Sequence, residues 1–166
     1  MGTKRVGWAR IRSLINENQN QLKRRNREVI SAAAAKTLTA ADSGAVIYWT
    51  QADAHDITLP TAAAGLNYTF FIVAGSAHIH YILTQTDDVV YGKATVLSTT
   101  NDQSELQSVA KASGKDKIFI KSDGATTGGG TGDVVRVFCD VAGYWFVNAD
   151  LHTTNANPAS VVTFQD

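Results

Sequence analysis

From Thr37 onward, short runs of β-branched and aromatic residues recur at intervals of about ten residues, and little else competes with them. The clearest are Val46-Ile47-Tyr48-Trp49, Tyr68 to Val73, Ile79 to Leu83, Ala94 to Thr99, Ile118-Phe119-Ile120, Val134 to Phe138 and Tyr144 to Val147. Such residues suit a pleated, half-buried surface. Between them stand chain reversers: Asp42-Ser43-Gly44 as a turn, Pro60 after Ile57-Thr58-Leu59, and Val141-Ala142-Gly143 joining the last two runs as a hairpin. The spacing predicts an all-β body over residues 37–150, an antiparallel β-sandwich or jelly-roll-like barrel. Residues 151–166 read as a C-terminal tail or edge strand, with Val161 to Phe164 as the strand. Two stretches depart from the pattern. Asn101 to Lys117 is polar, with a helical turn expected around Ser104 to Ala110, and Ser122 to Gly132 reads as a Gly/Thr loop.

Residues 1–36 are different in kind. They hold nine Lys/Arg against two acids, a net of +7, whereas the remainder holds six against thirteen, a net of −7. The overall charge of zero thus conceals a basic N-terminal arm on an acidic body. Trp8, Ile11, Leu14, Ile15 and Leu22 recur at helical spacing. Asn16, Asn18, Asn20 and Asn26 oppose a helix interior, so the arm is expected to be extended or partly helical. The alanine tract before Lys36 reads as a joint.

The arm's composition selects a partner. Lys23, Arg24, Arg25 and Arg27 form a compact cationic cluster, with Arg10 and Arg12 further up the chain. Such a segment is built to rest on an acidic surface. Burying about 200 Å² of Trp8 would contribute on the order of 5 kcal/mol of gross transfer energy. Trp8, Ile11, Leu14 and Ile15 therefore want an apolar groove as well as acid. That favours a protein surface over nucleic acid, whose phosphates the acidic body would also repel.

Other chemistries find little footing. No segment of eighteen apolar residues exists and the N-terminus has no apolar signal core, so no membrane partner is expected and synthesis in the cytoplasm is the expectation. The single Cys139 excludes an internal disulfide and reads as a buried small hydrophobe. His78 and His80, two apart on a strand, share a face, but no third ligand stands at a recognised metal spacing. Gly128-Gly129-Gly130-Thr131-Gly132 lacks the Gly-Lys-Ser/Thr of a phosphate loop, and Ser76 lacks a nucleophile elbow. No catalytic residues, metal or cofactor, and hence no enzymatic activity, are expected.

Several strings in the body resemble those of another group of proteins. Leu38-Thr39-Ala40-Ala41-Asp42-Ser43-Gly44, Ile57-Thr58-Leu59-Pro60, Ala64-Gly65-Leu66-Asn67-Tyr68-Thr69-Phe70, Gly132 to Val137 and Gly143-Tyr144-Trp145-Phe146-Val147 are similar, in order and spacing, to a small β-module of tailed-bacteriophage virion structural proteins. That group includes head decoration, or cement, proteins and fibre-like parts. The resemblance covers about Lys36 to Ala149. It implies a homotrimer on the outer capsid surface, made in the host cytoplasm, with the major capsid protein as partner. The arm would then clamp the shell, Trp8, Ile11, Leu14 and Ile15 filling apolar grooves and Arg10, Arg12, Lys23, Arg24, Arg25 and Arg27 pairing with acids. The alternative it implies is a fibre or receptor-binding module in which Tyr48, Trp49 and Tyr91 stack on host glycans.

Overall fold

The computed structural model describes residues 7–25, 28–50, 56–73, 77–85, 87–101, 103–123, 130–154 and 162–166, with side chains placed for all of these except 20–25, 77–79, 119–123 and 162–163. A helix, α1 (Trp8–Arg25), precedes twelve strands: β1 (Val29–Ala32), β2 (Lys36–Thr37), β3 (Val46–Trp49), β4 (Asp56–Thr58), β5 (Asn67–Ile72), β6 (Ala77–Leu83), β7 (Val89–Ser98), β8 (Ser104–Val109), β9 (Lys117–Asp123), β10 (Val134–Val141), β11 (Tyr144–Thr153) and β12 (Val162–Gln165). Short 3₁₀ turns at Ala40–Asp42 and Lys111–Ser113 complete the list.

The strands form two sheets, one in the order β1-β3-β5-β10-β11-β7-β8 and one in the order β12-β9-β6-β4-β2. Both are mixed, which corrects the antiparallel expectation. β1 with β3, β3 with β5 and β11 with β7 are parallel in the larger sheet, as are β2 with β4 and β4 with β6 in the smaller. The cause lies in the chain's path. From β1 to β6, successive strands belong alternately to the two sheets. Each same-sheet neighbour is therefore reached through a crossover rather than a hairpin, and a crossover returns the chain in the same direction. Hairpins appear only later, β7 with β8 and β10 with β11, and the other antiparallel pairs, β5 with β10, β6 with β9 and β9 with β12, all join an earlier strand to one from β9 onward.

Burial alternates as the sequence predicts. β5 turns Tyr68, Phe70 and Ile72 inward, β10 Val135, Val137 and Cys139, and β11 Trp145, Val147, Ala149 and Leu151. One hydrophobic cluster joins these to Ile57, Leu59, Ile82 and Ile118 from the smaller sheet and its flanks. Trp49 of β3 meets His80 of β6 across the sheets, ring centroids 4.7 Å apart. Trp145 and Tyr68 lie 5.8 Å apart in the same core.

Two backbone devices make these strands fit. Gly92 in β7 lies opposite Val147 of β11 with φ of 132°, and a Cβ there would fall 2.1 Å from the Val147 carbonyl oxygen. Only glycine permits that approach. At the predicted Asp42-Ser43-Gly44 turn, the Asp42 carboxylate accepts from the Thr39 amide and hydroxyl, each at 2.8 Å. Gly44, with φ of 89°, then donates to Asn67 O at 2.7 Å.

Two further readings change. β1 and the start of β2 fall within residues 1–36, so the sheets begin inside the stretch read as arm, with Glu28 O already accepting from the Val46 amide of β3 at 2.7 Å. Ser104–Val109 is a strand, not a helical turn. Its alternation of half-buried and exposed residues, paired to β7, covers one edge of the larger sheet.

Candidate docking helix and outer sheet face

α1 is shaped by its sequence into an amphipathic rod. At 3.6 residues per turn, Trp8, Ile11, Leu14 and Ile15 fall within an arc of about 120°. Arg12 borders one edge of that arc and Arg10 the other. Gly7 O accepts from the Arg10 and Ile11 amides at 2.9 and 3.2 Å to start the first turn. That turn holds no acidic residue, so nothing there complements the positive end of the helix dipole. Local sequence alone stabilises such a helix weakly; a surface beneath its apolar stripe would supply the rest.

Among the described residues, the chain's own body does not supply that surface. Trp8 is 72% exposed, Ile11 37%, Leu14 51% and Ile15 48%, and the hydrophobic core draws no residue from α1. Of the basic residues predicted to accompany the stripe, Arg10 and Arg12 are exposed on α1. Lys23, Arg24 and Arg25 lie in its last turn, where cations suit the helix dipole. Arg27 lies outside the described residues. The structure thus gathers nine of the ten predicted docking residues onto one helix.

The outer face of the larger sheet is the second uncovered apolar surface. Tyr48 stands edge-on to Phe71, centroids 6.1 Å apart, near one margin. Toward the other, Phe138, Phe146, Tyr91 and Tyr144 form a continuous aromatic group across β10, β11 and β7. Phe138 and Phe146 lie 4.8 Å apart, Phe146 and Tyr91 5.3 Å, Tyr91 and Tyr144 6.4 Å. The Lys111 ammonium sits over Tyr144 at 4.3 Å and Tyr91 at 5.2 Å, with Asp140 Oδ2 3.7 Å away. Burial, reinforced by the nearby Asp140 carboxylate, raises the Tyr91 pKa above the ordinary phenol value. Between the two aromatic groups, Arg136 pairs with Asp150 at 3.1 Å.

The glycan reading requires a correction. Tyr48 and Tyr91 do face outward, but Trp49 is buried in the core against Phe70 and His80, because adjacent residues of a strand point to opposite faces. Its indole cannot stack on a sugar. His80 is likewise buried, and the side chain of His78 lies outside the described residues. Cys139 is buried, its Sγ 3.1 Å from Val141 O, and burial pushes the thiol pKa up. Among the described residues, no three His, Cys, Asp or Glu converge as a metal site would require, and no helix is long and apolar enough to cross a membrane.

Sequence reading missed two arrangements. The Tyr91–Tyr144–Lys111–Asp140 cluster draws on segments far apart in the chain, and no spacing rule links them. Asp133, buried at the start of β10, accepts from the His152 amide at 3.0 Å, its Oδ1 lies 2.8 Å from His152 Nδ1, and its Oδ2 accepts from the Gly130 amide at 2.9 Å. No protein-family model, curated protein or solved structure matches this chain.

Proposed function

We propose that this chain is a virion structural protein that binds the outside of a phage head and reinforces it, its β-sandwich body held to the major capsid protein by α1. The observation that carries the reading is the apolar stripe of α1, edged by arginines and left uncovered by its own body. The likeness of the body's turns and strands to virion β-modules supports the same assignment, with a homotrimer as the assembly. Binding that favours the expanded shell stabilises that state by mass action. Repetition over a symmetric lattice multiplies contacts that are individually weak. The body adds no catalysis in this scheme.

The test is co-sedimentation of the purified protein with expanded, undecorated heads of the phage that encodes it. Wild type should saturate the heads. Ile11→Asp/Ile15→Asp should abolish binding while leaving the circular dichroism of the body unchanged. Full binding by that variant, or no binding by wild type, would reject the proposal.

A further inference from the structure

Tyr91 and Tyr144 meet at 80°, and with Asp140 they enclose the Lys111 ammonium on three sides. The two walls are held in place independently of the lysine. Tyr144 opens β11, and Tyr91 is register-paired with Phe146, against which it stands edge-on at 76°. Asp140 is fixed on β10, whose Val141 pairs with Tyr144, so the carboxylate belongs to the wall as well. Lys111 arrives from elsewhere, on the exposed 3₁₀ turn after β8, with its side chain 41% exposed.

The geometry of the occupant is informative. Ring faces attract a cation through their quadrupole, and the carboxylate adds charge. Yet Lys111 Nζ stands 3.7 Å from Asp140, beyond hydrogen-bond distance. The ammonium is therefore held by its charge and its fit to the rings, not by N–H donation. A primary ammonium is strongly hydrated and gains little by leaving water for such a corner. A quaternary ammonium, with three methyls in place of its hydrogens, has no donors to satisfy and sheds its hydration more readily, so it suits the same walls better.

We propose that the corner formed by Tyr91, Tyr144 and Asp140 is a recognition site for a quaternary trimethylammonium group, with Lys111 as its resting occupant. Lys111 competes as a tethered ligand of high effective concentration. An incoming cation displaces it, and the freed Lys111 side chain turns out to solvent while the 3₁₀ turn stays anchored to β7 through the Val90–Lys115 bridge.

The test titrates the full chain with choline, following Tyr91 and Tyr144 aromatic resonances by NMR at constant ionic strength. Choline should shift both saturably in the wild type. Lys111→Ala, which removes the competitor, should bind roughly tenfold more tightly. Tyr144→Leu, with its fold checked by amide spectra, should lose the response. The uncharged isostere 3,3-dimethylbutan-1-ol should leave the resonances unmoved. A trimethyllysine peptide titrated in parallel distinguishes the source of the group: binding tighter than choline assigns a protein side chain, weaker binding a small molecule. Absence of a saturable shift in Lys111→Ala, or equal binding of the uncharged isostere, would overturn the proposal and leave Lys111 as an internal staple.

Discussion

Asp133 and His152 form a pair in which only one partner meets water. The carboxylate is fully buried, the imidazole is more than half exposed, and Oδ1 lies 2.8 Å from Nδ1. Burial raises the Asp133 pKa above the ordinary carboxylate value, although the bonds from His152 and Gly130 pull it down. A carboxyl raised in the folded state contributes stability that is full below its unfolded pKa of about 3.9 and is lost as pH climbs through the folded value. Removing the histidine should deepen that loss. His152→Ala is expected to cost about 1–3 kcal/mol at pH 7 and distinctly less at pH 4, where a protonated carboxyl no longer needs the partner. Urea unfolding at the two pH values measures this; equal costs would contradict it.

Tyr68 offers the opposite end of the pH scale. Its hydroxyl donates to Thr39 O at 2.8 Å, and burial, with the Asp42 carboxylate nearby, pushes its pKa up from 10.0 to about 12. The neutral phenol is the form the fold favours. Its contribution, on the order of 3 kcal/mol, is present below pH 10 and disappears as pH rises toward 12. Tyr68→Phe should be less stable at pH 7 by about 1 kcal/mol and should lack this alkaline loss. Stability against pH between 9 and 12, wild type beside variant, gives the comparison.

Gly92 and Gly143 both adopt positive φ, but they differ in what surrounds them. A side chain at Gly92 meets the Val147 carbonyl, whereas nothing lies within 4 Å of the Cβ position at Gly143. Gly143→Ala should cost only the backbone strain, about 1–2 kcal/mol. Gly92→Ala must also separate β7 from β11, so a cost of about 4 kcal/mol or more is expected. That corresponds to a melting temperature lowered by roughly 10 °C or further. Thermal unfolding of the two variants tests the ranking.

The boundary of the arm has its own consequence. Deleting residues 1–27 removes α1 and leaves both sheets intact; this truncation should unfold cooperatively and fail to bind heads. Deleting 1–36 also strips β1, the edge of the larger sheet that carries buried Ala32, and part of β2, the edge of the smaller. The longer truncation should be markedly less stable in the same melts. Equal stability would mean that neither edge strand supports the body.

How far the sequence discloses this arrangement depends on the kind of signal involved. β3, β5, β10 and β11 are legible because Tyr68, Phe70 and Ile72, or Trp145 and Val147, alternate strictly between faces. β1 is hidden by its setting: Val29-Ile30-Ser31-Ala32 lies between a cationic cluster and an alanine tract, and only pairing to β3 marks it as a strand. β8 is hidden by polarity, since an edge strand with one wet face needs few apolar residues. Strand direction leaves no trace, because a period of two reads the same for parallel and antiparallel neighbours. The α1 stripe was legible from Trp8, Ile11, Leu14 and Ile15. The corner around Lys111 was not, because it exists only once β7, β10 and β11 lie side by side.

The position of β11 between β10 and β7 also governs the order in which the molecule can be assembled. During synthesis, the β7–β8 hairpin emerges long before the strand that ties it to the rest of its layer. Until β11 is threaded into that gap, the nascent chain presents two incomplete halves, each with an open seam that another ribosome's product could fill. Late closure of this kind makes slow, cooperative maturation the expected behaviour, since the defining pairings span much of the polypeptide. It also makes crowding of unfinished copies the chief hazard during expression.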